Sequence, residues 1–341
     1  MSSPSSPNTI LVTGARGFIG SAVAAALFGS GMTVRAGARG CALTHESAGD
    51  MRADARFCAC DLDDFVQVRA AVAGADLIVH AAYGSDAAMA QQCRTLLEAM
   101  AAEGVGSLIY LSSIAVYGEQ TGLVFEAAPP QGALGAYAAA KRQCEKLVRD
   151  WAQGARRAII LRPGIVYGTG SYFWVDKMVE RIRLGAWGDF GPAGEGTAAL
   201  IHIDDLVDLI DVASKRLASN ARAALPNCAA LNAVGPEAPS WNGYFQSLAA
   251  AIGAPRLKPL NRSEISLREM LSPLAKIWRR LGLPGARGAA LAATSGELAL
   301  FSRKATYAMN AANDLLGFSP RIDLDEGLAR TVAPRSQGRK I

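Results

Sequence analysis

The chain has 341 residues, half of them hydrophobic and 19% charged, and a formal net charge of +5. That length buries a large core and suffices for one large domain plus a smaller one. Basic and acidic residues are interspersed, so the positive balance reads as solvated faces, not a nucleic-acid surface, and no apolar run reaches the ~20 residues that cross a bilayer.

In chain order, the polar leader MSSPSSP (1–7) reads as disordered. It lacks the charged and apolar regions of a signal peptide. The β-branched run 9–13 reads as a strand and Ser21–Phe28 as an Ala-rich helix. Between them Gly14, Gly17 and Gly20 fall as G-x-x-G-x-x-G. Glycine there permits a tight turn and brings backbone up to a pyrophosphate, which the positive end of the following helix attracts. The second strand, 32–36, leads to Arg39, where an NAD site would carry an acid for the ribose 2′-hydroxyl; no Asp or Glu comes before Glu46. Arg16 lies inside the loop itself. Guanidinium groups bind phosphate well, which favours NADP, with NAD as the alternative; Arg35 and Arg39 also read as exposed edge charges.

The next strand, 56–60, ends at Asp61, read as a helix N-cap for 62–73. Strand 77–81 carries His80, followed by Ala81 and Ala82. Strand 107–111 ends in Ser112 and Ser113, whose hydroxyls are expected to face the crevice at the carboxyl ends of the strands. A Pro-free helix follows over 135–151 and carries Tyr137 and Lys141, four apart and therefore on one face. A phenol titrates near ~10. A neighbouring cation lowers that value and makes the tyrosine a usable acid or base. A surface ion pair is the competing reading of so short a pattern. After the strand 157–162 the rhythm breaks, with Gly, Pro and Trp frequent over 168–196, and 203–217 reads as returning to the first domain. The stretch 262–296, with Trp278, Arg279 and Arg280, looks amphipathic, and the basic tail reads as flexible.

Alternating strands and helices argue for an α/β fold, a doubly wound parallel sheet. The six cysteines show no C-x-x-C or Cys/His cluster, so they read as reduced core thiols of a cytoplasmic protein with no metal.

Seven segments in this order resemble the extended short-chain dehydrogenase/reductase family: TGARGFIG (13–20), CDLDD (60–64), HAA (80–82), LSSIAVYG (111–118), YAAAK (137–141), LRPGIVYG (161–168) and IHIDDLV (201–207). The run ending LLGFSPRIDLDEGL is similar to it too, so the likeness spans about 9–332. The resemblance implies a Rossmann domain over 8–165, with 197–235 returning to it, and a smaller substrate lobe from 166–196 and 236–332, before the tail 333–341. It implies catalysis by Ser113, Tyr137 and Lys141, with Lys141 lowering the Tyr137 pKa and holding the cofactor ribose. Cofactor contacts fall to Gly14, Arg16, Gly17, Phe18, Ile19, Gly20, Arg39, Asp61, Leu62, Ala81, Ala82, Tyr137 and Lys141. His80 and His202 take structural places in the family pattern. Two positions depart from it. Met89 stands where an Asn braces the site, and Ile165 stands where members acting on nucleotide sugars have Asn. The expected activity is carbonyl–alcohol interconversion on a small molecule with NADP or NAD. A nucleotide-sugar epimerase or 4-ketoreductase is the same-fold alternative, and a non-catalytic dinucleotide sensor is the alternative of another class. A homodimer is compatible with the family.

Overall fold

The structure is a computed structural model that describes residues 9–40, 56–261, 263–266, 270 and 292–333. The leader 1–7, Glu46, the tail after 333 and Trp278, Arg279 and Arg280 lie outside the described residues.

Seven strands form one parallel sheet: β1 (Thr9–Thr13), β2 (Thr33–Ala38), β3 (Arg56–Ala59), β4 (Leu77–His80), β5 (Ser107–Leu111), β7 (Arg157–Pro163) and β10 (Cys228–Ala233). Their order is β10-β7-β5-β4-β1-β2-β3. The central strands TILVT, LIVH and SLIYL are apolar along nearly their whole length because helices cover both faces. The first face is covered by α1 (Phe18–Gly29) and α6 (Ile203–Ala218), which share a core with Ile10, Val12, Val79 and Ile109. The second face is covered by α2 (Phe65–Val72), α3 (Asp86–Ala102) and α4 (Ala136–Trp151), packed on Leu11, Ile78, Leu108 and Ile160.

Strand β1 pairs with β2 on one side and β4 on the other, Thr13 lying opposite both Gly37 and His80. The chain direction through the sheet reverses at that point, and a crevice opens beyond the carboxyl ends of β1 and β4.

Two small parallel pairs lie outside the main sheet: β6 (Gly122–Val124) with β11 (Ala305–Tyr307), and β8 (Ile165–Tyr167) with β9 (Leu200–His202). A third core gathers Trp187, Phe190, Trp241, Phe245 and Phe301 from α5 (Lys177–Arg183), α7 (Trp241–Ala251), α8 (Ser295–Phe301) and the loops between them. Two further helices, α9 (Asn310–Leu316) and α10 (Leu324–Val332), complete the described chain. No described helix is long and apolar enough to cross a membrane.

One capping expectation is corrected. The helix after β3 starts at Phe65, and its cap is Asp64, which accepts from Val66 N and Gln67 N. Asp61 instead accepts from Asp63 N at 3.2 Å, because it stands in the turn before the helix.

Candidate active site

The glycine loop is tight enough to explain its composition. Gly14 has φ +70°, and a Cβ there would stand 2.6 Å from the Ala82 Cα. A Cβ on Gly20 would meet the Gly14 carbonyl oxygen at 2.2 Å, so the loop and the start of α1 cannot separate to admit one. Helix α1 opens at Gly17 with no side-chain cap and no acid in its first turn. The first-turn N–H groups and the positive end of the helix therefore suit an anionic pyrophosphate. On these grounds the loop, with Ala81 and Ala82 against it, fits a dinucleotide.

At the end of β2, Arg39 and Arg16 are both exposed. Arg16 Nη1 donates to the Arg39 carbonyl at 3.5 Å, and its guanidinium lies 5.7 Å from the Phe57 ring, so the two arginines share the loop's outer corner. Arg35 is elsewhere. It donates to the carbonyls of Ala71 and Ala73 and finishes α2, which settles it as structural. Leu62 is buried in the core under α2.

Opposite the loop, Ser113 and α4 bring the polar residues together. Ser113 ends β5 and caps a short 3-10 turn (Ile114–Tyr117) by accepting from Ala115 N. Its hydroxyl lies close enough to the Tyr137 phenol to favour the phenolate. Tyr137 keeps 36% of its surface exposed, whereas Lys141, one turn on, is only 5% exposed. Lys141 Nζ donates to the Leu111 carbonyl at 2.6 Å and lies 5.1 Å from the Tyr110 ring and 5.9 Å from the Tyr137 ring. Burial pulls the Lys141 ammonium down to about 8. The expected lowering of Tyr137 is not what the free protein shows. Burial raises its phenol, the Asp86 carboxylate adds to that, and the neighbouring Ser113 hydroxyl opposes both. The ammonium is turned toward Leu111, which leaves the proton on Tyr137.

Ser112 does not face the crevice. Its hydroxyl points into the protein and donates to Glu145 at 2.6 Å. Glu145 sits one turn beyond Lys141 and receives two bonds from Arg162, at 2.8 and 2.6 Å. Arg162 also donates to the Tyr117 phenol, which in turn donates to Asn232 Oδ1 at 2.6 Å. This buried chain ties β5, α4, β7 and β10 together directly behind Ser113 and Tyr137. Sequence reading missed it; the signal was a Glu and an Arg in segments otherwise buried.

His80 and His202 are engaged in packing and capping contacts. His80 Nδ1 shares a 2.7 Å hydrogen bond with the Thr13 hydroxyl, and burial first, then Lys141, holds the ring neutral with a pKa of about 3. His202 accepts from Asp204 N and caps α6. Met89 is buried, and its carbonyl meets the Cys144 thiol at 3.5 Å, so a backbone–thiol contact occupies the place of the expected Asn brace. The five described cysteines carry no disulfide, and no group able to hold a metal occurs among the described residues.

A crevice at a sheet reversal, a glycine loop on a helix end and a Ser-Tyr-Lys group define a short-chain dehydrogenase/reductase type of enzyme. Residues 10–225 match the profile of the NAD dependent epimerase/dehydratase family, and the chain belongs to that family. A 2-alkyl-3-oxoalkanoate reductase of Stenotrophomonas maltophilia is 28% identical over 95% of this chain and 98% of its own. A UDP-glucose 4-epimerase of Corynebacterium glutamicum is 28% identical over 58% of this chain and 68% of its own. Among solved structures, a putative epimerase of Burkholderia cenocepacia superposes with a TM-score of 0.72 at 18% identity, covering 97% of this chain and 99% of that one. A UDP-glucuronic acid 4-epimerase of Bacillus cereus in complex with NAD superposes at 0.68 with 20% identity, over 96% and 99%. The protein is accordingly an NAD(P)-dependent oxidoreductase or epimerase of the extended short-chain type.

Proposed function

We propose that this enzyme is a net ketoreductase that prefers NADP(H) and interconverts a carbonyl and a secondary alcohol on a small molecule. The observation that carries the reading is the Tyr137 phenol, beside Ser113 and held at 36% exposure with the buried Lys141 ammonium 5.9 Å from its ring. A bound nicotinamide supplies or accepts the hydride. The chain's own residues handle oxygen and proton. Ser113 hydrogen-bonds the substrate oxygen. Tyr137, which burial and Asp86 keep protonated at neutral pH, donates its proton to that oxygen as the carbonyl is reduced. Lys141 supplies positive charge beside the phenolate that proton donation leaves behind.

Two features support reduction over epimerisation. The relative matched along nearly its whole length is a reductase. Ile165 stands where sugar-nucleotide enzymes of the family carry Asn. Arg16 and Arg39, adjacent at the corner of the glycine loop, support a cofactor bearing a 2′-phosphate. Described cysteines free of disulfides suit a reducing, cytoplasmic compartment.

The test is to follow NADPH and NADH absorbance with purified protein and a panel of ketones, 4-keto sugars and sterols, in wild type and Tyr137→Phe. Wild type is expected to consume NADPH stoichiometrically with a ketone. Tyr137→Phe is expected to lose ~10²–10⁴ in rate and to bind cofactor normally. Epimerised product with no net cofactor change would replace this reading with the epimerase one.

A further inference from the structure

One large side chain beside the proposed proton donor has no role in the core. Tyr83 directly follows the Ala81–Ala82 pair at the end of β4, the pair that abuts the glycine loop. Its ring stands edge-on to the Tyr137 ring, with centroids 5.8 Å apart and planes at 73°. It is 57% exposed beside Tyr137. Its position is fixed at the far end, where the phenol donates to Asp86 Oδ1 at 2.9 Å. Asp86 opens α3 behind the Ser85 cap, so this anchor stands on a rigid element.

We propose that Tyr83, held by Asp86, is the specificity-determining wall of the active site, and that the group it receives is an apolar alkyl or aryl substituent on the carbonyl carbon. The inference rests on the reading of Tyr137 as proton donor and deepens it by naming the substrate class. Its ring is inclined 73° to that of Tyr137 and more than half exposed, so it offers apolar surface beside the proposed proton donor. Its one polar atom is engaged by Asp86. What remains is apolar surface, which an alkyl chain or a flat ring covers with gain and a hydroxyl-rich sugar ring does not. The Asp86 carboxylate adds a second filter, because it disfavours an anionic group on this side of the crevice. A sugar diphosphate placed here would meet both.

The experiment measures dissociation constants of 2-butanone, 2-octanone and UDP-glucose by saturation-transfer NMR, on full-length protein loaded with the oxidised dinucleotide. The variants are Tyr83→Ala, Tyr83→Phe and Asp86→Ala. Each methylene covered by the ring is worth about fourfold in affinity. Two such methylenes give wild type a 2-octanone over 2-butanone ratio of roughly tenfold or more. Tyr83→Ala should cut that ratio to about two- to threefold, on the same scale of apolar area. Tyr83→Phe and Asp86→Ala each keep the ring and lose the anchoring bond, so both should fall between. Reading a ratio within one variant cancels any general loss of folded protein. An unchanged ratio in Tyr83→Ala, or UDP-glucose bound more tightly than 2-octanone by wild type, overturns the proposal. Intact chain-length discrimination without ketone turnover would instead overturn the reductase reading and leave this wall in place.

Discussion

Replacing Lys141 by Met should abolish turnover and at the same time stabilise the cofactor-free protein at neutral pH. The ammonium is 5% exposed, and burial lowers it from 10.5 to about 8. At about 1.4 kcal/mol per unit, that shift means the charged form costs the folded state about 3 kcal/mol at pH 7. Met fills similar volume without the charge. The Leu111 carbonyl then loses its donor, a loss of ~1–2 kcal/mol. The balance favours the variant by ~1–2 kcal/mol, or about 2 °C in Tm for a chain of this length. The sign can be checked against pH. Below about 8 the ammonium is charged both folded and unfolded, so its full cost is present. As pH rises from there toward 10.5, the folded state loses the proton first, wild type gains stability, and the variant's advantage fades. Calorimetric melting of both proteins at pH 7 and pH 10 tests this. A Met variant less stable than wild type at pH 7, or an advantage that does not shrink with pH, would refute the reasoning.

Three other outcomes are expected. Arg39→Asp should weaken NADPH by about 10- to 150-fold, from ~1.5–3 kcal/mol for a charge-assisted bond, and the double change with Arg16→Ala should complete a swing toward NADH; calorimetric titration decides, and wild type binding NADH as tightly as NADPH removes the assignment. Glu145→Ala should cost ~3–5 kcal/mol of stability because it leaves the Arg162 guanidinium buried without its carboxylate, whereas replacing the pair together by Gln and Met should cost less; denaturant titration of both tests this. Gly20→Ala should lose dinucleotide binding, since its Cβ would stand 2.2 Å from the Gly14 carbonyl, and normal NADP affinity in this variant would show that the loop is not the pyrophosphate cradle.

Local pattern carried much of the fold and one half of the site. Strands such as 77–80 and 107–111 are legible because a strand covered on both faces must be apolar throughout. The glycine loop and the Tyr137–Lys141 spacing are legible because backbone geometry and helix pitch act within a few residues. Three features depended on contacts between segments far apart in the chain. Ser112 and Ser113 are neighbours with identical side chains, yet one turns inward to Glu145 and the other outward to Tyr137; only the placement of α4 against β5 assigns them. The proton affinity of Tyr137 follows from burial and from Asp86 on another helix, not from the lysine on its own, because electrostatic effects fall with distance through space and not along sequence. Arg162, Tyr117 and Asn232 lie 45 and 115 positions apart across their two bonds, and they meet because β7 and β10 are adjacent in the sheet. Sequence by itself determined the class of fold and singled out the candidate reacting groups. The tertiary structure decided which way each group faces, and that the Tyr83 ring, from the loop after β4, stands beside Tyr137.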